Sequence, residues 1–236
     1  KAYTKELRKN DYLLDATLTY TKDLFKGHTL KVMAGYAYQK FIEEYIEAGN
    51  SDFLTDAFGV NNLNAGGDLT KTVGSSKTVT KYLSYFGRIN YDYKGIYLLE
   101  VNGRYDGSSR FPHNDKWAFF PSASIGYRFS EEAFFAPLKK VVNNAKLRAS
   151  YGEIGNEAIG DYMFEALISQ RENTSSTGYI YWVDGNGANA NRLTQYNMPK
   201  LVSKSLTWER IRTTDIGLDL GFLNNELTVG FDWYQR

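Results

Sequence analysis

Apolar and polar residues alternate along this chain over stretches that are long for a globular strand. In residues 11–22 the even positions from Tyr12 to Tyr20 are apolar or aromatic, whereas the odd positions from Asp15 to Thr21 are polar. Such period-two patterning predicts a β-strand with one apolar and one polar face. The stretch exceeds the ~5–6 residues of an ordinary globular strand and matches the ~9–11 residues with which a tilted strand crosses a bilayer.

The same alternation recurs throughout the chain, and the faces opposite the apolar ones repeatedly carry charges. Further strands are predicted at residues 30–39, 83–93, 97–105, 122–129, 145–151, 215–222 and 227–233. Tyrosine and tryptophan cluster toward the ends of these stretches, where the aromatic girdles of a membrane barrel lie. The pattern predicts an all-β fold, part of an antiparallel transmembrane β-barrel of the outer-membrane type.

Composition narrows the chemistry that the chain can perform. The residues Phe, Trp and Tyr make up 16% of the chain, cysteine is absent, only two histidines occur, and the formal net charge is +1. Thiolate and histidine-rich metal sites are therefore not expected, and no charge bias favours nucleic acid. No apolar run approaches the ~20 residues of a membrane helix. No nucleophile–base pair or calcium-loop motif stands out, so we expect neither an enzyme nor a cofactor or metal.

Connection lengths alternate along the sequence. Short turns are predicted at 23–27, 93–95 and 223–225, and long loops at 42–77, 106–116 and 152–205. Short periplasmic turns and long extracellular loops are typical of outer-membrane barrels. The connection 130–143 breaks the pattern mildly and begins like a capped helical turn with Ser130 as the cap.

The long segment 152–205 must begin and end on the same side of the membrane, because the strands before and after it run in opposite directions. It therefore holds either no crossing strands or an even number. Residues 161–169 and 179–183 are strand candidates, and we interpret them as a hairpin that projects outward.

Four arginines are candidate functional residues because they lie on the polar faces of predicted strands: Arg88, Arg104, Arg128 and Arg148. They could guide a substrate or hold a plug through carboxylate pairs. The alternative, which we favour, is mutual salt bridges with nearby acidic residues of the wall: Asp92, Glu100, Asp215 and Asp219.

Three aromatic residues, Tyr179, Tyr181 and Trp182, lie in a loop rich in glycine and asparagine. Their rings could stack on a sugar substrate, since binding residues concentrate on loops. Equally, they could pack against the loop itself or against a partner that covers the barrel. Both alternatives stay open from the sequence.

The segment DGSSRF at 106–111 joins two predicted strands and contains residues that favour turns. We expect it to shape the loop rather than to bind a ligand. Arg110 is expected to pair with a nearby carboxylate. Phe111, Trp117 and Phe119 are expected near the outer aromatic girdle.

A set of ordered motifs resembles the SusC/RagA-like branch of the TonB-dependent outer-membrane transporters. They comprise Arg104 with DGSSRF, Trp117, FPS at 120–122, SEEAF at 130–134, KLR at 146–148, SYGEIGN at 150–156, LTWE at 206–209, GLD at 217–219 and NNEL at 224–227. The motifs stand in family order over roughly residues 82–236. Residues 1–81 agree in pattern but carry little distinctive sequence.

The resemblance implies that residues 1–236 are a single segment of barrel wall, without the plug domain, the TonB-contacting segment or the last barrel strands. It implies uptake of oligosaccharides or peptides across the outer membrane of a Bacteroidota-type bacterium, energised by TonB and capped by a SusD-like surface lipoprotein. No signal peptide precedes the first strand, so a mature or partial chain is expected. The alternative is a soluble, secreted β-sandwich that binds glycans through its aromatic loops.

Overall fold

The computed structural model describes residues 1–166, 169–171, 195–197, 202–203 and 205–236. Within these residues the chain forms ten strands, numbered in chain order: β1 Ala2–Phe25, β2 His28–Asn50, β3 Thr72–Tyr93, β4 Tyr97–Ser108, β5 Trp117–Tyr127, β6 Val142–Asn156, β7 Ser169–Arg171, β8 Gln195–Asn197, β9 Glu209–Phe222 and β10 Leu227–Gln235. Eight of the strands form one antiparallel sheet in the order β1-β2-β3-β4-β5-β6-β9-β10, and β7 pairs with β8 separately.

The connections confirm the predicted alternation of lengths, except that the β5–β6 connection at residues 128–141 is longer than the β4–β5 connection at residues 109–116. The β1–β2, β3–β4 and β9–β10 turns lie at one end of the sheet, called the short-turn end. The β2–β3, β4–β5 and β6–β9 connections lie at the other, called the long-loop end. Short 3-10 helices occupy several connections: Gly59–Asn61, Leu63–Ala65, Asp68–Thr70, His113–Asp115, Phe129–Glu131, Ala133–Phe135 and Leu138–Lys140.

Strands β1, β2 and β3 are longer than the alternation predicts, with 24, 23 and 22 residues. The predicted loop 42–77 is therefore wrong in extent, since only residues 51–71 separate β2 from β3. Outside the apolar band both faces of these strands carry charged pairs, such as Lys9–Glu43 and Lys77–Glu44. A strand with polar side chains on both faces shows no alternation of apolar and polar residues, so the sequence pattern does not reveal it.

The apolar face of the sheet is exposed. Cross-strand rows such as Tyr91–Leu99–Ile125 place apolar residues side by side. Leu99 is 41% exposed and Ile125 is 58% exposed. In a β-sandwich this face would be covered by a second sheet. The exposures argue against the sandwich alternative and fit a face that meets lipid.

Strand β6 pairs directly with β9, from Val142–Phe222 to Asn156–Glu209. No strand of the large sheet lies between them. The connection from β6 to β9 therefore leaves and returns at the long-loop end, as the opposite directions of these two strands require. The predicted strand at 161–169 is wrong for its described part, because residues 161–164 form a turn and only Ser169 begins a strand. The candidate at 179–183 lies outside the described residues.

The connection 130–143 contains three successive 3-10 helices rather than one capped α-helical turn. Ser130 lies inside the first of them and not at its N-cap, which is Arg128. The Ser130 side chain is buried and its hydroxyl has no hydrogen-bond partner among the described residues. The prediction of Ser130 as a cap is therefore wrong. Among the described residues, no helix is both long and apolar enough to cross a membrane.

Candidate functional site

The polar face of the sheet is concave and encloses a cavity of about 1160 Å³. Residues from β1 to β6 line it, together with Trp208 just before β9. Arg88 and Arg104 contribute charge, and Phe86 and Phe120 contribute aromatic surface. A wall that is polar inside and apolar outside is the arrangement of an outer-membrane barrel.

Aromatic side chains fit over glycines on the concave face. Phe86 of β3 lies against Gly35, its neighbour on β2 in the register, and Phe120 of β5 lies against Gly155 of β6. A Cβ at either glycine would overlap the ring. The two glycines therefore allow large rings to lie flat on the wall instead of filling the cavity.

Arg88 and Arg104 are held by polar neighbours on their own and adjacent strands. Arg88 Nε donates to Asn102 Oδ1 at 2.7 Å and lies 3.9 Å from Glu100 Oε1. Arg104 Nε donates to Asp106 Oδ1 at 2.7 Å, and its Nη2 donates to the Ser84 hydroxyl at 3.0 Å. These contacts fix both guanidinium groups along the wall.

Arg148 contacts three aspartates on two different strands. Its Nε donates to Asp219 Oδ2 at 3.0 Å, and its Nη1 lies 3.6 Å from Asp215 Oδ1. Its Nη2 donates to Asp232 Oδ1 of β10 at 2.5 Å. Gly217 lies between Arg148 and Asp232 in the strand register. The guanidinium therefore links β6, β9 and β10 across the middle strand.

Arg128 lies one residue beyond β5, so it is not on a strand as predicted. Its backbone N–H donates to the Ile96 carbonyl at 2.8 Å, beside the β3–β4 turn. Within the described part of the chain its side chain forms no ion pair. Its orientation toward the lumen remains a prediction.

The favoured sequence interpretation, mutual salt bridges, is confirmed for three of the four acidic residues: Glu100, Asp215 and Asp219. It is wrong for Asp92, whose Oδ1 accepts the Gly95 N–H at 2.6 Å within the β3–β4 turn. Sequence reasoning missed Asp106 and Asp232. Asp106 is two residues from Arg104, and residues two apart on a strand share a face, so the spacing alone could have predicted this pair. Asp232 is two strands away, which only the register reveals.

The DGSSRF loop forms a second candidate site at the long-loop end, which we call the rim clasp and define as Arg110, Phe111, Glu157, Asp161 and Trp208. Arg110 Nε donates to Asp161 Oδ1 at 3.0 Å, and Arg110 Nη1 lies 3.7 Å from Glu157 Oε1. Burial lowers the pKa of the Arg110 guanidinium. The hydrogen bond to Asp161 and the charges of Asp161 and Glu157 raise it by a larger amount, so the net shift of the pKa is upward. The expected carboxylate partner of Arg110 is thus identified.

Phe111 is fully buried at the centre of the rim clasp. Its ring centroid lies 5.1 Å from that of Trp208, and the Phe120 ring meets Trp208 edge-on at 5.5 Å. The Trp208 indole N–H donates to the Lys116 carbonyl at 2.9 Å. The prediction that Phe111 lies at the girdle is therefore wrong, because its ring turns into the only cluster of buried apolar side chains in the described chain.

The rim clasp fixes both ends of the long β6–β9 connection to the β4–β5 loop. Its start is held by Arg110 and, in addition, by strand β3, where the Thr80 hydroxyl donates to Asp161 Oδ1 at 2.7 Å. Its end is held by Trp208. DGSSRF thus has a structural role, as expected, but the predicted start of the loop at Asp106 is wrong, because Asp106, Gly107 and Ser108 pair within β4. Its last two residues, Arg110 and Phe111, act through partners some fifty and ninety residues away.

Two rows of aromatic residues border the apolar band. At the long-loop end Trp117 stacks on Tyr105 at 4.9 Å and on Tyr85 at 6.2 Å. At the short-turn end Tyr97 stacks on Tyr127 at 5.1 Å and on Tyr93 at 6.0 Å. Tyr97 and Tyr105 are eight residues apart on β4, which is ~27 Å along an antiparallel strand. That spacing suits the ~25 Å apolar band of outer-membrane barrels.

The candidate substrate residues Tyr179, Tyr181 and Trp182 lie outside the described residues. Across the described ranges, no group of three or more His, Asp or Glu side chains is arranged to hold a metal ion.

The curved antiparallel sheet, its girdled apolar face and its charged concave face define part of a transmembrane β-barrel of the outer-membrane type. Residues 2–236 match the family described as TonB dependent receptor-like, beta-barrel. The chain belongs to this family, and its relatives confirm the SusC/RagA-like branch that the motifs indicate.

Two curated relatives illustrate the relationship. TonB-dependent receptor P3 of Formosa agariphila is 36% identical over 218 residues, covering 92% of this chain and 20% of that protein. TonB-dependent receptor SusC of Bacteroides thetaiotaomicron is 34% identical over 157 residues, covering 65% of this chain and 14% of that protein. The chain thus spans about a fifth or less of the length of these relatives.

The fold also matches solved structures. The RagAB peptide transporter superposes with a TM-score of 0.83 over 98% of this chain and 24% of the matched chain, at 23% sequence identity. The same importer in its open-open state superposes with a TM-score of 0.80 at 24% identity. At these identities the likeness establishes the fold.

Proposed function

We propose that this chain is the wall of an outer-membrane transporter that imports oligosaccharides or peptides with energy supplied through TonB. The observation that carries the proposal is the two-faced sheet. Its apolar face lies between two aromatic rows, and its opposite face is a charge-lined concavity of about 1160 Å³. Such a wall separates lipid from an aqueous lumen. Family membership supports TonB as the energy source.

The proposed partners are a SusD-like surface lipoprotein, the lipid of the outer membrane, and the TonB complex through segments outside this chain. The SusC and RagAB relatives support the lipoprotein. The long-loop end is then extracellular, and the short-turn end periplasmic. We propose no catalysis, no cofactor and no nucleic-acid partner, since the family is one of receptors.

Within this transporter, the four candidate arginines are proposed to face the lumen or a plug: Arg88, Arg104, Arg128 and Arg148. Arg88 and Arg104 line the large cavity, and Arg148 lines a second concavity nearer the short-turn end. The salt bridges of Arg88, Arg104 and Arg148 keep the wall polar. The loop residues Tyr179, Tyr181 and Trp182 are proposed to contact the substrate, because flat aromatic rings suit sugars and loops carry binding residues.

The proposal is tested in the native bacterium with the full-length receptor that contains this chain. The receptor should fractionate with the outer membrane, copurify a surface lipoprotein, and support growth on an oligosaccharide or peptide only when TonB is present. An Arg104→Ala variant should impair uptake more than Val101→Ala, the matched change on the opposite face of β4. A receptor found in the soluble fraction, or uptake that is independent of TonB, would contradict the proposal.

A further inference from the structure

Two lysines lie directly opposite each other on the outward face of the sheet. Lys40 of β2 and Lys81 of β3 are register partners. They share the face of Tyr38 and Tyr36 on β2, since side chains two residues apart on a strand point the same way. Both are accessible to solvent, Lys81 more than Lys40. The pair therefore places two positive charges side by side on the surface that faces outward from the barrel.

This pair has no acidic partner among the described residues. Like charges directly opposite each other on neighbouring strands destabilise a sheet. The next charged row outward on the same face is complementary, because Lys77 pairs with Glu44 there at 2.5 Å. The contrast shows that these strands place acids against lysines elsewhere on this face. At Lys40 and Lys81 the described residues provide no acid, so both ammonium groups are available to an external anion.

The height of the pair indicates where such an anion lies. Moving from the lysine pair toward the apolar band, the first row on the same face is Tyr38–Leu83 and the second is Tyr36–Tyr85. The Tyr36–Tyr85 row is continuous with the aromatic row at the long-loop end. Lys40 is two residues beyond Tyr38 and four residues beyond Tyr36 of the aromatic row, or ~14 Å from that row along a tilted strand. Lysines just beyond an aromatic girdle lie at the level of lipid headgroups. The Lys40 Nζ also lies over the Tyr12 ring of β1, 5.9 Å from the ring centre.

We propose that Lys40 and Lys81 together bind the phosphate of an anionic lipid headgroup in the outer leaflet. This inference rests on the proposed outer-membrane function, which sets the leaflet. Two ammonium groups from adjacent strands hold one phosphate, while the acyl chains pack on the apolar band below. The bound lipid supplies the missing negative charge and removes the repulsion between the lysines.

The test uses the full-length receptor purified in detergent and native mass spectrometry with monophosphoryl lipid A as the probe. The charge of each lysine is removed in Lys40→Gln, Lys81→Gln and the double variant. The matched control is Lys26→Gln with Lys94→Gln, which removes two positive charges at the short-turn end. We expect binding to weaken roughly fivefold for one lysine and roughly thirtyfold for both. The control should bind as the wild type does.

Two further probes separate a lipid site from a simple anion site. The same lipid without its phosphate should bind the wild type as weakly as the phosphorylated lipid binds the double variant. Inorganic phosphate at millimolar concentration should not displace the lipid. Equal binding by the wild type and the double variant, or full displacement by inorganic phosphate, overturns the proposal. Membrane fractionation of each variant shows separately whether the outer-membrane assignment holds.

Discussion

The guanidinium of Arg148 reaches Asp232 across an intervening strand, and Gly217 is the residue that it passes over. A Cβ at Gly217 would lie 2.6 Å from both Arg148 Cζ and Asp232 Oδ1. The absence of a side chain at this one position of β9 thus permits a salt bridge between β6 and β10. Because glycine weakens a strand interior, its presence there needs such a local reason.

Replacement of Gly217 by alanine should displace Arg148 and break its contact with Asp232. We expect Gly217→Ala to lower the melting temperature of the full-length barrel, measured by loss of heat-resistant mobility on gels. Gly230→Ala is the matched control, because a Cβ there would lie 3.7 Å from Asp219 Oδ1, an ordinary contact. Equal melting temperatures for the two variants would show that the Arg148–Asp232 bridge contributes nothing to stability.

Removal of the Arg110 side chain should open the rim clasp locally without unfolding the barrel. Its charged hydrogen bond to Asp161 contributes about 1.5–3 kcal/mol. In Arg110→Ala we expect the Val79 amide, which donates to Tyr162 Oη, to exchange with deuterium at least tenfold faster. Arg128→Ala serves as the control, because its side chain forms no ion pair within the described ranges. Unchanged exchange at Val79 would mean that Arg110 does not hold the connection.

Truncation of Phe111 should destabilise the long-loop end strongly, because its ring is fully buried against Trp208. We expect Phe111→Ala to cost about 3–5 kcal/mol of unfolding free energy and to shift the fluorescence of Trp208. Phe134→Ala is the control, since Phe134 is 67% exposed in a connection at the short-turn end. A cost for Phe111→Ala no larger than that for Phe134→Ala would place Phe111 outside the core.

A charge on the apolar face should be costly, whereas the same charge on the concave face should be tolerated. Leu99→Arg should destabilise the folded barrel, by less than the roughly 2–4 kcal/mol of the bilayer midplane, because Leu99 is two residues from Tyr97 of the aromatic row at the short-turn end. Ser124→Arg is the matched change, because Ser124 faces Glu100 in the register of β4 and β5. Chemical unfolding in lipid vesicles measures both. The opposite order of stabilities would invert the assignment of faces.

Sidedness can be tested directly because the chain contains no cysteine. A single cysteine at Asn114, in the β4–β5 loop, should react with a membrane-impermeant maleimide on intact cells. A cysteine at Lys94, in the β3–β4 turn, should react only after the outer membrane is permeabilised. Background thiols elsewhere in the full-length receptor must first be replaced by serine. The reverse labelling pattern would exchange the extracellular and periplasmic ends.

Local pattern determines much of this protein. Alternation identified the eight long strands and their two faces, because a side chain's face depends only on whether its position is odd or even. Chain direction alone also required the 152–205 segment to return to the end that it left, as the β6–β9 pairing shows. Neither conclusion needs any knowledge of which residues meet across the fold.

The tertiary structure decided what depends on contacts between distant residues. The extensions of β1, β2 and β3 were hidden because charged pairs replace the apolar face there. Phe111 and Arg110 found partners in Trp208 and Asp161, which no local pattern links to them. Arg148 reaches Asp232 only because strand register places Gly217 between them. Register and loop docking arise from pairing across the sheet, and sequence spacing carries no direct record of that pairing.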